Sequence, residues 1–375
     1  MSKRYRGSGY QSYYGRRSSG AGTLLKWIIV FLLAVLVVAV GIYFWLQNNL
    51  VYDDNGVYLP LPWKQQASQP PESPPPPATE SVPIPSYDAA PTDSVLVIDT
   101  PSPAPTPREE ALETLKAVRV SPETLLAGGA TRQAESSGGN AVLVTMKNDD
   151  GTLNYVSDVE LAVSMMASGS DPMANEAIRE LTAGEYYTIA QVSCFRDEIL
   201  GGVESYALLS NSGYRWRDFN GIRWSCVGKA ATRDYIVALC VELAKMGFDE
   251  ILLTNYGYPP NGTGQMGWLR RDETYPWGAL DTVVGPFLAQ VKEAVEPYGT
   301  VLSVRALGKE LAGEEQATGL TVENLLANCA HLWMDTSDAL AYEEMLASSL
   351  SLREKLVPIS GQAGGENEPW AMMEE

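Results

Sequence analysis

The chain divides into three stretches with different hydrophobic patterns. Over residues 24–46 apolar positions run almost unbroken, with Lys26 the only charge. Over 58–107 the pattern dissolves into prolines and polar residues. From 108 onward short apolar runs alternate with segments of helical period. The runs predict strands over 117–120, 141–147, 187–195, 250–255, 300–306, 331–335, 355–359 and 370–373. Helices are predicted over 156–167, 171–181, 231–246, 280–298, 322–330 and 337–352. Gly247 follows one helix and precedes a strand, where a helix stop belongs. Strands alternating with helices imply a parallel sheet with helical crossovers. Eight strands in a stretch of about 250 residues favour closure into a (β/α)8, TIM-like barrel over an open sheet. The sequence stops just after the eighth predicted strand. The expectation there is a barrel closed by another segment or left slightly open.

The run over 24–46 has the length of a membrane span. At roughly 1.5 Å per residue it crosses a hydrocarbon core of roughly 30 Å. The apolar region of a cleaved signal peptide is shorter, about 7–15 residues, and small residues follow it at the cleavage site. Here Trp45, Leu46, Gln47 and Asn48 follow instead. The reading is an uncleaved anchor. Lys3, Arg4, Arg6, Arg16 and Arg17 precede it with no acid, and Asp53 and Asp54 come after it. Positive residues stay inside, so residues 1–23 form a cytoplasmic basic tail and the rest is extracytoplasmic. The tail carries Tyr5, Tyr10, Tyr13 and Tyr14, and its composition favours a disordered segment attracted to anionic lipid over a signalling tail.

Beyond the anchor, 47–107 reads as a hairpin and a linker. The hairpin spans 51–59, with Asn55-Gly56 supplying the turn. From Tyr58 to Pro107 the chain holds 15 of its 24 prolines, four of them consecutive over 74–77. Proline removes a backbone donor and fixes φ, so this stretch reads as a disordered, semi-rigid stalk. The domain proper is 108–375.

Charge narrows the partners. The formal net charge is −19, and six of the 27 basic residues lie at or before Lys26, leaving 21 against 46 acids. A domain so negative is repelled by nucleic acid and by anionic polymers. The cysteines Cys194, Cys226, Cys240 and Cys329 contain no CxxC pair, which argues against a zinc site and suits small buried side chains. His331 is the only histidine, which argues against a His-based triad and a multi-His metal site. No phosphate-binding glycine motif follows a strand, so no nucleotide cofactor is expected.

In such barrels the site lies at the C-terminal strand ends. Those ends carry Lys147 and Asp149, then Arg196 and Asp197, then Thr254, Asn255 and Tyr256, then Arg305, then Asp335. Aromatic residues Tyr214, Trp216, Trp224, Trp268, Tyr275 and Trp277 populate the loops. Aromatic faces beside amides and acids suit sugar rings, although packing of the loops explains any single one equally well.

These residues carry a family resemblance. Segments 140–151 (NAVLVTMKNDDG), 187–200 (YTIAQVSCFRDEIL), Trp216-Arg217-Asp218, Trp224 and 247–259 (GFDEILLTNYGYP) resemble glycoside hydrolase barrels of unassigned specificity on bacterial surfaces. Lys147, Phe195, Asp197, Trp224, Phe248, Asp249, Glu250 and Pro259 match that family's pattern. Several positions depart from it. The resemblance implies an Asp where Thr145 stands, an Arg at Gln191, and an Asp followed three residues later by an Arg at Thr254 and Gly257. A Tyr-Pro-Ser-His element corresponds to Asp335-Thr336-Ser337-Asp338. Glycoside hydrolysis uses two carboxylates roughly 5–9.5 Å apart, and Thr254 supplies none. Glu250 begins its strand and is expected at the stability face.

The favoured expectation is a domain that binds cell-wall or surface polysaccharide with weakened or lost hydrolysis. Lys147, Arg196, Trp224, Asn255, Tyr256 and Arg305 are its ligand-binding candidates. Two readings stay open: an active glycosidase drawing on Asp149, Asp197 and Asp335, and a protein-interaction module of a surface assembly.

Overall fold

The computed structural model describes residues 51–53, 56–58, 107–313 and 318–373. The predicted span 24–46, the cytoplasmic tail and most of the stalk lie outside them. Among the described residues no helix is long and apolar enough to cross a membrane. Strands Val51–Asp53 and Gly56–Tyr58 pair antiparallel as the expected hairpin. Asp53 stands opposite Gly56, so Gly56 belongs to the ladder and not to the turn.

Eight parallel strands close into a barrel. They are β1 Lys116–Val120, β2 Ala141–Lys147, β3 Tyr187–Ser193, β4 Glu250–Thr254, β5 Val301–Arg305, β6 Leu332–Asp335, β7 Leu356–Ser360 and β8 Trp370–Met372. Each matches a strand expected from an apolar run. The strands β2, β3 and β4 are buried at every position, as strands covered on both faces must be. Among the described residues no extra segment closes the ring. β8 pairs with both β7 and β1, placing Ala371 opposite Ile359 on one side and Ala117 on the other.

Alternation along the strands sorts side chains into two cores. Val118, Val142, Val144, Ala190 and Ile251 face outward into the larger apolar layer beneath the helices. Ala117, Leu143, Ile189, Leu252, Trp333, Val357 and Ala371 fill the barrel. Leu115 joins that interior from the short link before β1, and the helix Pro107–Glu113, at the edge of the expected stalk, adds Ala111. Its backbone is tied down by Arg108 N–H donating to the Glu185 carbonyl, 2.8 Å.

The helices are built from local signals. Asp171 caps Pro172–Thr182 by accepting from Met173 N–H, with proline at the first position, where its missing N–H is harmless. Gly247 takes φ +98° after Ala230–Lys245 and ends it as expected. Two predicted helices fall short. The helix expected over 156–167 is only Glu160–Ser164. Side chains hold the preceding residues extended: Asn175 bonds both backbone groups of Val156, and Glu242 accepts from Tyr155, Ser157 and Asp158. The helix expected over 337–352 is three short turns, Thr336–Ala341, Glu343–Ser348 and Leu350–Lys355, with little apolar surface buried to hold one long axis. All four cysteines are free and buried.

At the N-terminal end of the barrel Glu250 is fully buried. Its carboxylate accepts from Trp333 Nε1 at 3.0 Å and Tyr187 OH at 3.2 Å, and pairs with His331 Nδ1 at 2.9 Å. This is the stability face that the sequence assigned to it. Burial alone would raise the Glu250 pKa, but His331, Ser303 and Trp333 outweigh burial and hold it below its ordinary value of 4.5. Burial alone would lower that of His331, but the Glu250 charge holds it above 6.5. A raised histidine stabilises the fold fully below its unfolded pKa and loses that contribution as pH rises through the folded one. Unfolding stability should therefore decline as pH rises above 6.5, and His331→Gln should flatten that decline. Glu250→Ala should destabilise the domain by about 3–5 kcal/mol, since it strips a buried network of its acceptor. Equal pH profiles for wild type and His331→Gln in urea titrations would contradict this account.

Candidate functional site

At the other end of the barrel the inward-facing positions turn polar. Two residues beyond the buried Ala117, Leu143, Ile189, Leu252 and Trp333 come Arg119, Thr145, Gln191, Thr254 and Asp335. Arg305 completes this ring at the end of β5. The positions that depart from the family resemblance, Thr145, Gln191 and Thr254, are thus the ones aimed into the mouth.

A cavity of about 290 Å³ opens there, over the ends of β3 to β6. Its floor includes Gln191, Thr254 and Asn255, and its wall Tyr256, Arg305, Glu310, Asp149 and Asp335. Gln191 Oε1 and Thr254 Oγ1 are buried and make no hydrogen bond to the protein. Buried polar atoms are normally paired, so two orphans at one cavity floor mark where a hydroxylic ligand or water belongs. Asn255 sits at φ +49°, a left-handed conformation that asparagine tolerates better than most residues. Its amide donates to Ser193 Oγ at 2.9 Å and to Asp149 Oδ1 at 3.1 Å.

Three carboxylates line this cavity. Asp335 takes two hydrogen bonds from one Arg305 nitrogen, both 2.9 Å. Asp149 is held by Arg196, which also donates from Nε to Asp218 at 2.8 Å. Glu310 is buried, accepts from Leu307 N–H at 3.3 Å and is hydrogen-bonded to Tyr256. Burial and then the Glu310 charge raise the Tyr256 phenol well above its usual range, so it stays protonated and a donor. Glu310 was not singled out in the sequence. It stands five residues past the end of β5, beyond the strand-end positions, in the short helix Gly308–Leu311.

Of the expected site residues, the fold brings together Asp149, Asn255, Tyr256, Arg305 and Asp335, with Arg196 bracing Asp149 from behind. It does not bring Lys147, Asp197 or Trp224. Lys147 Nζ and Asp197 Oδ2 form an ion pair at 2.8 Å with both side chains 1% exposed. Lys147 also donates to the Ser193 carbonyl, and Asp197 accepts from Leu200 N–H at 2.7 Å. The β2–β3 register shifts between Thr145 and Lys147, and such a bulge re-aims the side chain that follows it. Even the turn at Gly151 is shaped around this pair, since a Cβ there would come within 2.2 Å of Asp197 Oδ1. Lys147 and Asp197 therefore neutralise each other inside the wall, outside the lining of this cavity. Trp224 is likewise 1% exposed, packed edge-on to Trp216 and donating toward Asp218. It offers no face to a sugar ring. Among the loop aromatics Trp216 and Tyr275 are also buried, while Tyr214, Trp268 and Trp277 are exposed.

Gly257, where the resemblance implies an arginine, has no room for one. A Cβ there would stand 2.1 Å from the Thr318 carbonyl, which also accepts from Tyr258 N–H.

An eight-stranded parallel barrel with a polar cavity at its C-terminal mouth defines a (β/α)8 protein of the TIM type. Over residues 128–330, more than half of its length, the chain matches the family described as "Putative glycosyl hydrolase domain", and it belongs to that family. The glycoside hydrolase domain of PgaB (BpsB) from Bordetella bronchiseptica is similar in fold, with 12% identity and a TM-score of 0.50. The match covers 69% of this chain and 93% of that one. A hypothetical protein from Ruminiclostridium thermocellum is 22% identical over 50% of this chain and 96% of its own, with a TM-score of 0.43. Aspergillus fumigatus Ega3, solved with galactosamine, is 10% identical over 66% of this chain and 77% of its own, with a TM-score of 0.40. No curated protein sequence matches the chain.

The two kinds of ion pair should separate on mutation. Lys147→Met leaves Asp197 buried and uncompensated and should lower stability by about 3–5 kcal/mol. Asp335→Asn breaks a pair about one-third exposed on each side and should change stability by less than about 1 kcal/mol. Paired thermal melts check this. Similar losses for the two variants would mean that the Lys147–Asp197 pair is not structural.

Proposed function

We propose that the barrel holds polysaccharide at its C-terminal mouth, with hydrolysis weakened or lost. The observation that carries this reading is the cavity floor, where Gln191 and Thr254 leave two buried polar atoms unpaired. Sugar hydroxyls, which donate and accept, are suited to those atoms, to the Tyr256 side and to the Asn255 amide. The carboxylates support binding more than cleavage. Asp335 and Asp149 are each tied to an arginine, so their oxygens are already engaged in the pocket. Thr254, at the β4 position where the family resemblance implies an acid, can neither protonate a leaving group nor form a glycosyl intermediate.

In this reading residues 24–46 anchor the chain with its N-terminus in the cytoplasm, and 47–107 hold the barrel off the membrane toward a cell-wall or surface glycan. The apolar length of 24–46, the one-sided basic tail and the proline content of the stalk support it.

One observation favours an active glycosidase. Glu310 is a buried carboxylate on the same cavity as Asp335 and Asp149, so the pocket does not lack acids. The two readings part experimentally. Full-length protein should bind at least one member of a broad polysaccharide panel, by thermal shift and co-sedimentation, while releasing no reducing ends. Thr254→Val with Gln191→Leu should weaken that binding roughly tenfold or more, through loss of hydrogen bonds in a desolvated floor. Reducing-end release that disappears in both Asp335→Asn and Glu310→Gln would establish the hydrolase instead. Binding to no glycan would defeat both.

A further inference from the structure

A second cavity, of about 620 Å³, is bounded by the ends of β1 and β2 at the same mouth. Arg119 and Thr145 line it, with Asn148, Asn154, Gln133 and Ser121 on the walls and Glu123 exposed at the rim. Amide, hydroxyl and guanidinium groups share the lining with Val120, Pro122 and Met372, and no aromatic face is among them.

Arg119 is the unusual group. It points into the barrel mouth and is half-buried. Its side chain makes one hydrogen bond to the described residues, from a terminal nitrogen to Thr145 Oγ1 at 3.1 Å. No carboxylate stands within ion-pair distance of it among the described residues. The other two arginines at the mouth differ: Arg305 is paired with Asp335, and Arg196 with Asp149 and Asp218. The charge environment fits this picture. Burial first, and then the nearby charge of Arg305, depress the Arg119 guanidinium from its ordinary value, with Asp149 opposing weakly. Arginine does not deprotonate in proteins, so a permanent cation is left largely without partners beside a polar cavity. A guanidinium presents five N–H donors in a planar fork, a geometry that fits two anionic oxygens at once.

We propose that this cavity is an anion subsite in which Arg119 receives the carboxylate of a uronic acid or the phosphate of a sugar phosphate, on the glycan bound across the mouth. This rests on the polysaccharide reading above and narrows it to acidic glycans. It runs against the repulsion of anionic polymers inferred from the net charge of the whole domain. The two are compatible because screening at physiological salt confines each charge to about 8 Å, so the nearest groups govern a site. At this mouth Arg305 and Arg196 are already held by aspartates, whereas Arg119 has no carboxylate within ion-pair distance among the described residues, and Glu123 stands exposed at the cavity rim. Thr145 contributes by fixing one end of the guanidinium, which leaves the other donors directed at the ligand.

The experiment uses the full-length protein, with glucuronate, glucose, inorganic phosphate and chloride as probes at matched ionic strength. Glucuronate should raise the melting temperature more than glucose does if the source is a uronate. Phosphate should raise it more than chloride if the source is a phosphate. Either contrast should vanish in Arg119→Gln, with the dissociation constant of the preferred anion weakened roughly tenfold or more. Arg119→Lys keeps the charge but not the fork and should fall between. Should Arg119→Gln fail to fold, the wild-type contrasts and Arg119→Lys still decide. The inference is overturned if neither anion exceeds its neutral or chloride control, or if the contrast persists unchanged in Arg119→Gln. Neutral glycan binding without an anion contrast would remove the subsite and leave the polysaccharide reading intact. An anion contrast with no glycan binding would do the reverse.

Discussion

Closure of the eight-stranded ring is the constraint from which the rest follows. Once β8 pairs with β1, each strand has one face toward the lumen and one toward the helices. Side chains alternate between them, except where the β2 register shifts before Lys147. Trp333, Leu143, Ile189 and Leu252 fill the middle of the lumen, so it is a packed core with no pore. The next inward residue on each strand must then emerge at the C-terminal mouth. Arg119, Thr145, Gln191, Thr254, Arg305 and Asp335 are brought together by this geometry from positions spread over more than half of the chain. The same alternation delivers Glu250 and Tyr187 to the opposite end, where no ligand is needed and a sealed hydrogen-bonded network forms.

Charge is handled differently at three depths of this barrel. At the N-terminal end the buried Glu250 is satisfied by neutral donors and one histidine, which makes it a stability element sensitive to pH. Within the wall Lys147 and Asp197 cancel each other in full burial, an arrangement that holds the β2 and β3 ends and their loops in register. At the mouth the pairs Arg305–Asp335 and Arg196–Asp149 are half open to solvent. Only the last kind can exchange a partner for a ligand without leaving a charge stranded in low dielectric. Exchangeable charge in the domain therefore lies in its outermost layer.

The sequence carried the architecture well, because parallel barrel strands must be apolar on both faces and so stand out as short runs. All eight strands were legible, as was the glycine stop at 247 and the structural place of Glu250. The site was legible only in part. Strand-end reading named Asp149, Asn255, Tyr256, Arg305 and Asp335, which line the cavity because they sit on or just past the ladder. It did not foresee that Lys147 lies inside the wall, because a register shift in β2 is invisible to a period-two count. It did not foresee the burial of Trp224, because a loop tryptophan reads the same whether its ring faces solvent or packs on Trp216. It passed over Glu310 because that acid reaches the cavity from a helical turn beyond the strand end, through a fold-back that local pattern does not encode. The short helices were missed or merged where side-chain hydrogen bonds, such as those of Asn175 and Glu242, override helical period.

Most of the matches and departures noted against the family resemblance differ in where they sit. Lys147, Phe195, Asp197, Trp224, Phe248 and Glu250 are buried in the wall or at the closed end. There they serve strand register, loop anchorage and packing. Thr145, Gln191 and Thr254 face the lumen at the mouth, and Gly257 lines the cavity against the Thr318 carbonyl. Substitution at such positions changes what the pocket can do while leaving intact the contacts that hold the ring closed. At the end of β4 an acid would be a reactive group, whereas the threonine is a hydroxyl awaiting a partner. At 257 an arginine would collide with the loop that now forms the cavity wall. Thr145 and Gln191 are register partners on neighbouring strands, and Gln191, Thr254 and Gly257 line one cavity. The positions that depart from the resemblance are therefore neighbours at the mouth, and they present amide, hydroxyl and backbone groups to whatever enters it.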